Sequence, residues 1–287
     1  MTMPTTQRVI DTLIGFRASH NIPPIAALPN RRSSDNPISY MFKGIPQDRA
    51  VDATVEEAVD ETVAKMDAHG IAVGLVSLTN DATQVALRRY PDRFAASLAV
   101  DGNDVMGAVR AIHHAVDEYG IRAVTTFPSG VSPQLPIDDR HWYPVYATCV
   151  DLGLPVFVSV GIPGPRVPMA PQKVELIDQV CYDFPELVFV MRHGAEPWVD
   201  LAIKLMLKWP NLYYSTTAFA PRHYPQAIID YANSRGSDRI LYGGYFPFGI
   251  ELERTFTELP DVPFKDDVWP KFLHDNAARV LRYASTT

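Results

Sequence analysis

Apolar residues fall along this chain in two rhythms. Short runs, apolar nearly throughout, recur at 8–16, 70–78, 94–100, 121–127, 154–160, 187–193, 211–218 and 239–246. LPVFVSV (154–160) and LVFVMRH (187–193) are representative. A continuous run, as opposed to strict alternation, marks a parallel strand covered on both faces. Between these runs the apolar period lengthens to that of a helix. Residues 54–69 open with Thr54 and Glu57 at capping-box spacing and close before Gly70. Residues 104–119 set Val105, Ala108, Val109, Ile112 and Val116 on one stripe and stop at Gly120. Residues 138–152 start at Asp138 and stop at Gly153, and further helical patterns cover 172–184, 199–208, 224–235, 250–259 and 265–283. Eight strands alternating with helices, with no break in composition, predict an α/β fold. The expected form is a single (β/α)8 TIM barrel filling residues 1–287, with a C-terminal helix in 265–287. A doubly wound open sheet would share this order of elements. No Gly-rich phosphate fingerprint follows any strand, which favours the barrel.

Two loops interrupt the rhythm. Residues 17–51 follow the first strand and carry Pro23, Pro24, Pro29, Pro37 and Pro46. Loops of this length in a compact domain serve as lids or binding loops. GIPGPRVPMAP (161–171) follows the fifth strand. In a barrel both loops rise from the C-terminal face, where sites are built.

Composition narrows the partners. Lys and Arg total 26 against 33 Asp and Glu, a net charge of −7. The basic pairs Arg31-Arg32 and Arg88-Arg89 are too short for a nucleic-acid surface. No window is long and apolar enough for a membrane span, and MTMPTTQRVID does not read as a signal peptide, so a cytoplasmic protein is expected. Cys149 and Cys181 lie in helical patterns and read as buried free thiols.

The candidate chemistry sits at strand ends. Period two groups Asp11 with Leu13 and Gly15, and His193 with Met191 and Phe189. Closing the barrel would bring Asp11, Ser159, His193 and Tyr245 to one pocket. An imidazole at a strand tip suits proton transfer near neutral pH. Glu196 or Asp11 would orient it, and Tyr245 would donate a hydrogen bond to a developing oxyanion. Ser159 lacks a nucleophile elbow around it and reads as a substrate contact. Arg166 and Lys43, with Arg17, are loop cations suited to a carboxylate or phosphate. Trp198 and Phe127, with Tyr214 and Phe219, offer an aromatic wall. Arg192 has the phase opposite to His193 and is expected to face the helices and pair with an acid there.

The phrases VIDTLIGF, LPVFVSVG, VMRHGAEPW, NLYYSTTAFAPRHYP, RILYGGYFP and DNAARVL run through almost the whole chain in one order. In that order the sequence resembles the amidohydrolase-related family typified by amino-carboxymuconate-semialdehyde decarboxylase. The resemblance implies a TIM barrel, a homodimer or higher homo-oligomer, and hydrolysis, decarboxylation or hydration of small organic acids. It also implies a divalent metal, usually zinc, held by two histidines on strand one, one each on strands five and six, and an aspartate on strand eight. Here Leu13 and Gly15 stand at the strand-one positions, Ser159 at strand five and Tyr245 at strand eight; His193 keeps the family residue.

A catalytic zinc needs about three protein ligands and an open position, so no cofactor is expected. His20 and His223, in loops after strands, are the candidates for relocated ligands. His69, His113, His114, His141 and His274 fall on helical patterns. The expected function is metal-independent acid–base chemistry on a small anionic or acyl compound, centred on His193. Two other classes are open: a barrel that binds a small molecule without turnover, and a metal-dependent hydrolase or decarboxylase with relocated ligands.

Overall fold

Each of the eight apolar runs holds a strand. In a computed structural model of the protein, residues 3–4, 8–17, 40–42, 54–79 and 81–283 are described. The strands are β1 (Val9–Asp11), β2 (Ile71–Ser77), β3 (Phe94–Ala99), β4 (Ala123–Thr126), β5 (Val156–Ser159), β6 (Phe189–Arg192), β7 (Leu212–Ser215) and β8 (Ile240–Leu241). They pair in parallel, in chain order, as one sheet. The Thr12 N–H donates to the Tyr242 carbonyl at 3.3 Å and the Gly15 N–H to the Phe246 carbonyl at 2.8 Å, drawing the last strand onto the first. The result is a (β/α)8 barrel.

The crossovers are α1 (Val55–Ala68), α2 (Asp81–Arg89), α3 (Val105–Tyr119), α4 (Tyr143–Leu152), α5 (Ile177–Asp183), α6 (Val199–Lys208), α7 (Gln226–Ala232) and α8 (Leu252–Glu258). The capping box of α1 is formed. The Glu57 N–H donates to Thr54 Oγ1 at 3.2 Å, and the Thr54 N–H donates to Glu57 Oε2 at 2.8 Å. Helix α2 has no counterpart among the predicted helices. Its buried positions are Ala82, Thr83, Val85 and Ala86, too small and too polar to make a visible apolar stripe. Helix α4 begins at Tyr143, later than the sequence pattern suggests, because Asp139 Oδ1 first holds the His141 N–H and ring in a turn. The closing segment is a π-helical turn at Lys271–Asp275 that leads into α9 (Asn276–Val280), not one long helix.

Two cores follow from the strand alternation. Ile10, Leu75, Ala95, Phe157, Val190, Tyr213 and Leu241 fill the barrel interior, and α9 packs against them through Ala277, Ala278 and Val280. Val9, Val124, Val158, Phe189 and Met191 face the surrounding helices. This phase decides which residues reach the mouth. Cys149 and Cys181 are free and buried, and burial pushes both thiols up to about 12. Among the described residues, no helix is long and apolar enough to cross a membrane.

Candidate active site

The interior phase carries Val190 inward, so Arg192, two residues on, also points inward. Ser159 is its register partner on β5, two residues beyond the inward-facing Phe157. Arg192 Nε donates to Ser159 Oγ at 3.4 Å. The expectation that Arg192 faces the helices and pairs with an acid is therefore corrected. Phe189 and Met191 are the helix-facing pair of β6, and among the described residues no ion pair involves Arg192.

His193 leaves the strand alternation because its backbone turns. Its φ is 67° and that of Gly194 is 83°. A non-glycine residue in the left-handed region is uncommon, and such conformations gather at functional sites. The His193 N–H is held by Thr217 Oγ1 at 3.0 Å. Its ring and that of Tyr245 meet edge to face, with centroids 5.7 Å apart and planes at 77°. His193 Nδ1 is buried with no hydrogen-bond partner among the described residues. Burial, assisted by the neighbouring Arg192 charge, holds the imidazole well below its ordinary range, so it is neutral at pH 7. Burial likewise raises the Tyr245 hydroxyl, against the pull of Arg192. It also lowers the Arg192 guanidinium to about 10, which leaves it cationic.

Tyr245 anchors an aromatic wall. Phe42 lies 5.3 Å from it and Phe248 5.6 Å, centroid to centroid. Phe42 belongs to the short described piece of the first loop. Nearby, the Tyr40 hydroxyl donates to the Gly164 carbonyl of the loop after β5. Arg166 lies 4.4 Å over the Tyr40 ring; it is exposed and stands at the rim.

Asp11 takes the opposite phase to the inward Ile10 and is fully buried. Its Oδ1 accepts the N–H groups of Gly244 at 2.7 Å and Leu13 at 3.0 Å. Through Gly244 it fixes the turn that presents Tyr245. Burial pushes its carboxyl up to about 7, against those two hydrogen bonds. Glu196 is exposed, its carbonyl accepts the Ile162 N–H at 3.0 Å, and no hydrogen bond joins it to His193. Trp198 packs half-buried on the outer core. The Phe127 ring lies over Gly130, where an added Cβ would come within 2.0 Å of it. Lys43 and His20 lie outside the described residues. His223 is exposed and accepts from Arg222 Nε at 3.1 Å.

The mouth also holds residues that the sequence pattern did not single out. Thr12 Oγ1 meets Ser215 Oγ at 2.9 Å, and Thr217 sits beside His193. A Cβ on Gly243 would come within 2.6 Å of Thr12 Oγ1 and 2.7 Å of Ser215 Oγ, so glycine permits that contact.

A sequence model of the amidohydrolase family matches residues 20–283. The chain belongs to the amidohydrolase family. No curated protein matches it. Among solved structures it is similar to an uncharacterized TIM-barrel protein from Bordetella bronchiseptica. That pair shares 30% identity with a TM-score of 0.71, over 79% of this chain and 83% of that one. It is also similar to 2,6-dihydroxybenzoate decarboxylase from Rhizobium, with 17% identity and a TM-score of 0.67 over 96% and 99% of the two chains. A third is 5-carboxyvanillate decarboxylase from Novosphingobium aromaticivorans, with 15% identity and a TM-score of 0.65 over 98% and 97%. At such identities the two decarboxylases share the fold.

The carboxyvanillate decarboxylase holds manganese together with 4-hydroxy-3-methoxy-5-nitrobenzoic acid. That finding corrects the expectation of no cofactor, since decarboxylases built on this barrel bind manganese. The described residues of this amidohydrolase do not themselves fit such an ion. Among them no three His, Cys, Asp or Glu side chains form a group that could hold a metal. A side chain at Gly15 would start 2.5 Å from the Phe248 ring, which fills that place. Ser159 is turned to Arg192, whose fixed positive charge beside His193 opposes a second cation.

Proposed function

We propose that this amidohydrolase is an enzyme acting on small carboxylic acids by acid–base chemistry of the lyase or hydrolase type. His193 and Tyr245 are its proton-handling pair. The observation that carries the reading is their edge-to-face contact, 5.7 Å between centroids, beside an inward-facing arginine with no acidic partner among the described residues. The family and the decarboxylase names of two similar structures support an acid as substrate.

The two side chains divide the work by protonation state. Tyr245 keeps its proton, since burial disfavours the phenolate, and donates a hydrogen bond to oxygen that gains charge in the transition state. His193 is neutral and serves as proton acceptor. Asp11 is a positioning residue that acts on Tyr245 through the Gly244 N–H. Ser159 steadies Arg192. The aromatic wall of Phe42, Tyr245 and Phe248 keeps water from one side of the reacting carbon.

The test is turnover of a panel of hydroxybenzoates and unsaturated short-chain acids, followed by chromatography. A positioned acid–base group contributes roughly 100- to 10,000-fold. His193→Ala and Tyr245→Phe should each lower kcat/KM by at least about 100-fold. Turnover unchanged in both variants would remove the assignment.

A further inference from the structure

Arg192 is half-buried, and a guanidinium drawn out of water is costly unless an anion offsets the lost hydration. Arg17, Arg89, Arg93 and Arg254 all have carboxylates within 3.0 Å. Arg192 has the Ser159 hydroxyl at 3.4 Å and, among the described residues, no carboxylate. We infer that Arg192 is the carboxylate receptor of this site: its guanidinium takes the acid group of the ligand directly, at the floor of the barrel mouth.

The surroundings suit that role. Residues sharing the inward phase of Arg192 at the mouth are neutral and hydroxyl-bearing: Thr12, Ser97, Thr125, Ser159 and Ser215. They place no negative charge against the guanidinium, and they can donate to an anion. Asp11, the acid of β1, has its Oδ1 committed to two backbone N–H groups and lies in the opposite phase. The guanidinium fork matches a carboxylate in two parallel hydrogen bonds, which fixes the plane of the acid group. A planar body attached to that group would lie along Tyr245, Phe42 and Phe248, with its first carbon turned to His193. The ligand class is therefore a monocarboxylate on a flat, unsaturated or aromatic frame. This rests on the reading of the mouth as an acid-binding site, and its test reads binding apart from turnover.

Benzoate, its neutral isostere benzamide and cyclohexanecarboxylate serve as probes in titration calorimetry. Wild-type protein should bind benzoate, bind cyclohexanecarboxylate more weakly, and bind benzamide at least tenfold more weakly. Arg192→Met should lose benzoate affinity by tenfold or more, whereas Arg192→Lys retains part of it. Ser159→Ala, which leaves the charge in place, should weaken binding a few-fold. Urea denaturation shows that each variant is folded, and Arg192→Met should be no less stable than wild type because it removes a half-buried cation that has no carboxylate partner among the described residues. The inference is overturned if wild-type protein binds none of the carboxylates, if benzamide matches benzoate, or if folded Arg192→Met binds benzoate as wild type does. Benzoate binding through Arg192 without turnover of any acid would instead sink the catalytic assignment and leave the receptor intact.

Discussion

Replacing Asp11 by Asn isolates the cost of a buried carboxyl at the barrel mouth. Asp11 Oδ1 is held by two N–H groups, and Oδ2 is buried without a hydrogen-bond partner among the described residues. Burial dominates and raises the group from its ordinary 3.8 to about 7. The folded chain therefore keeps a proton over a pH window in which the unfolded chain has lost it. The associated stability is complete below about pH 4, declines as pH rises toward about 7, and is gone above that. At about 1.4 kcal/mol for each pH unit, the full window is worth about 4 kcal/mol. The part between about pH 5 and pH 8 is worth about 3 kcal/mol. Asn keeps the accepting oxygen and titrates nothing. Urea denaturation of both proteins across that range cancels every other titrating group in the difference. Asp11→Asn should gain on wild type by about 3 kcal/mol as pH rises. A difference that stays flat with pH, or wild type gaining on the variant, would refute the argument.

Other consequences follow from the same geometry. Gly15→Ala puts a methyl 2.5 Å from the Phe248 ring; overpacking should cost about 1–3 kcal/mol in urea denaturation and disturb the Tyr245 wall, with an unchanged denaturation midpoint as the contrary result. Thr54→Ala removes the capping-box acceptor for the Glu57 N–H and should destabilise by about 1 kcal/mol, measured the same way, while activity stays at the wild-type level. His193 should still be neutral in ring-nitrogen NMR spectra at about pH 6.5, the ordinary midpoint of an imidazole, because burial and Arg192 both disfavour its cation. In Arg192→Met its midpoint should move upward. An ordinary midpoint near 6.5 in wild type would show that the ring is solvated.

The fold was legible in the sequence because its signal is redundant. Each strand is covered on both faces, so a run such as LPVFVSV needs no knowledge of phase to be recognised. Helix α2 escaped because small residues, Ala82 and Ala86 among them, suffice where the helix rests closely on the sheet. The site demanded more, since it depends on phase, and phase was read from His193 outward. That residue has φ 67° and lies off the strand, so counting back from it assigned Arg192 to the wrong side. Counting forward from Val190 gives the observed orientation. A single backbone angle thus separates a cation facing the helices from one facing the ligand.

The same turn explains how an imidazole and a guanidinium can be neighbours in sequence and still share one mouth. On an ideal strand, residues 192 and 193 would point to opposite faces. The left-handed turn at His193, held by Thr217 Oγ1, brings the ring round to Tyr245 while Arg192 keeps the interior phase. The two cannot both be charged at this spacing without strong repulsion, and burial penalises both cations. The guanidinium, with the higher intrinsic affinity for its proton, keeps it at about 10, and the imidazole yields. A fixed cation for the acid group and a neutral base for the proton therefore arise from one pair of adjacent residues. The arrangement works only while the turn at His193 persists. Thr217→Val, which removes the hydroxyl acceptor and keeps the shape, should disturb both functions together.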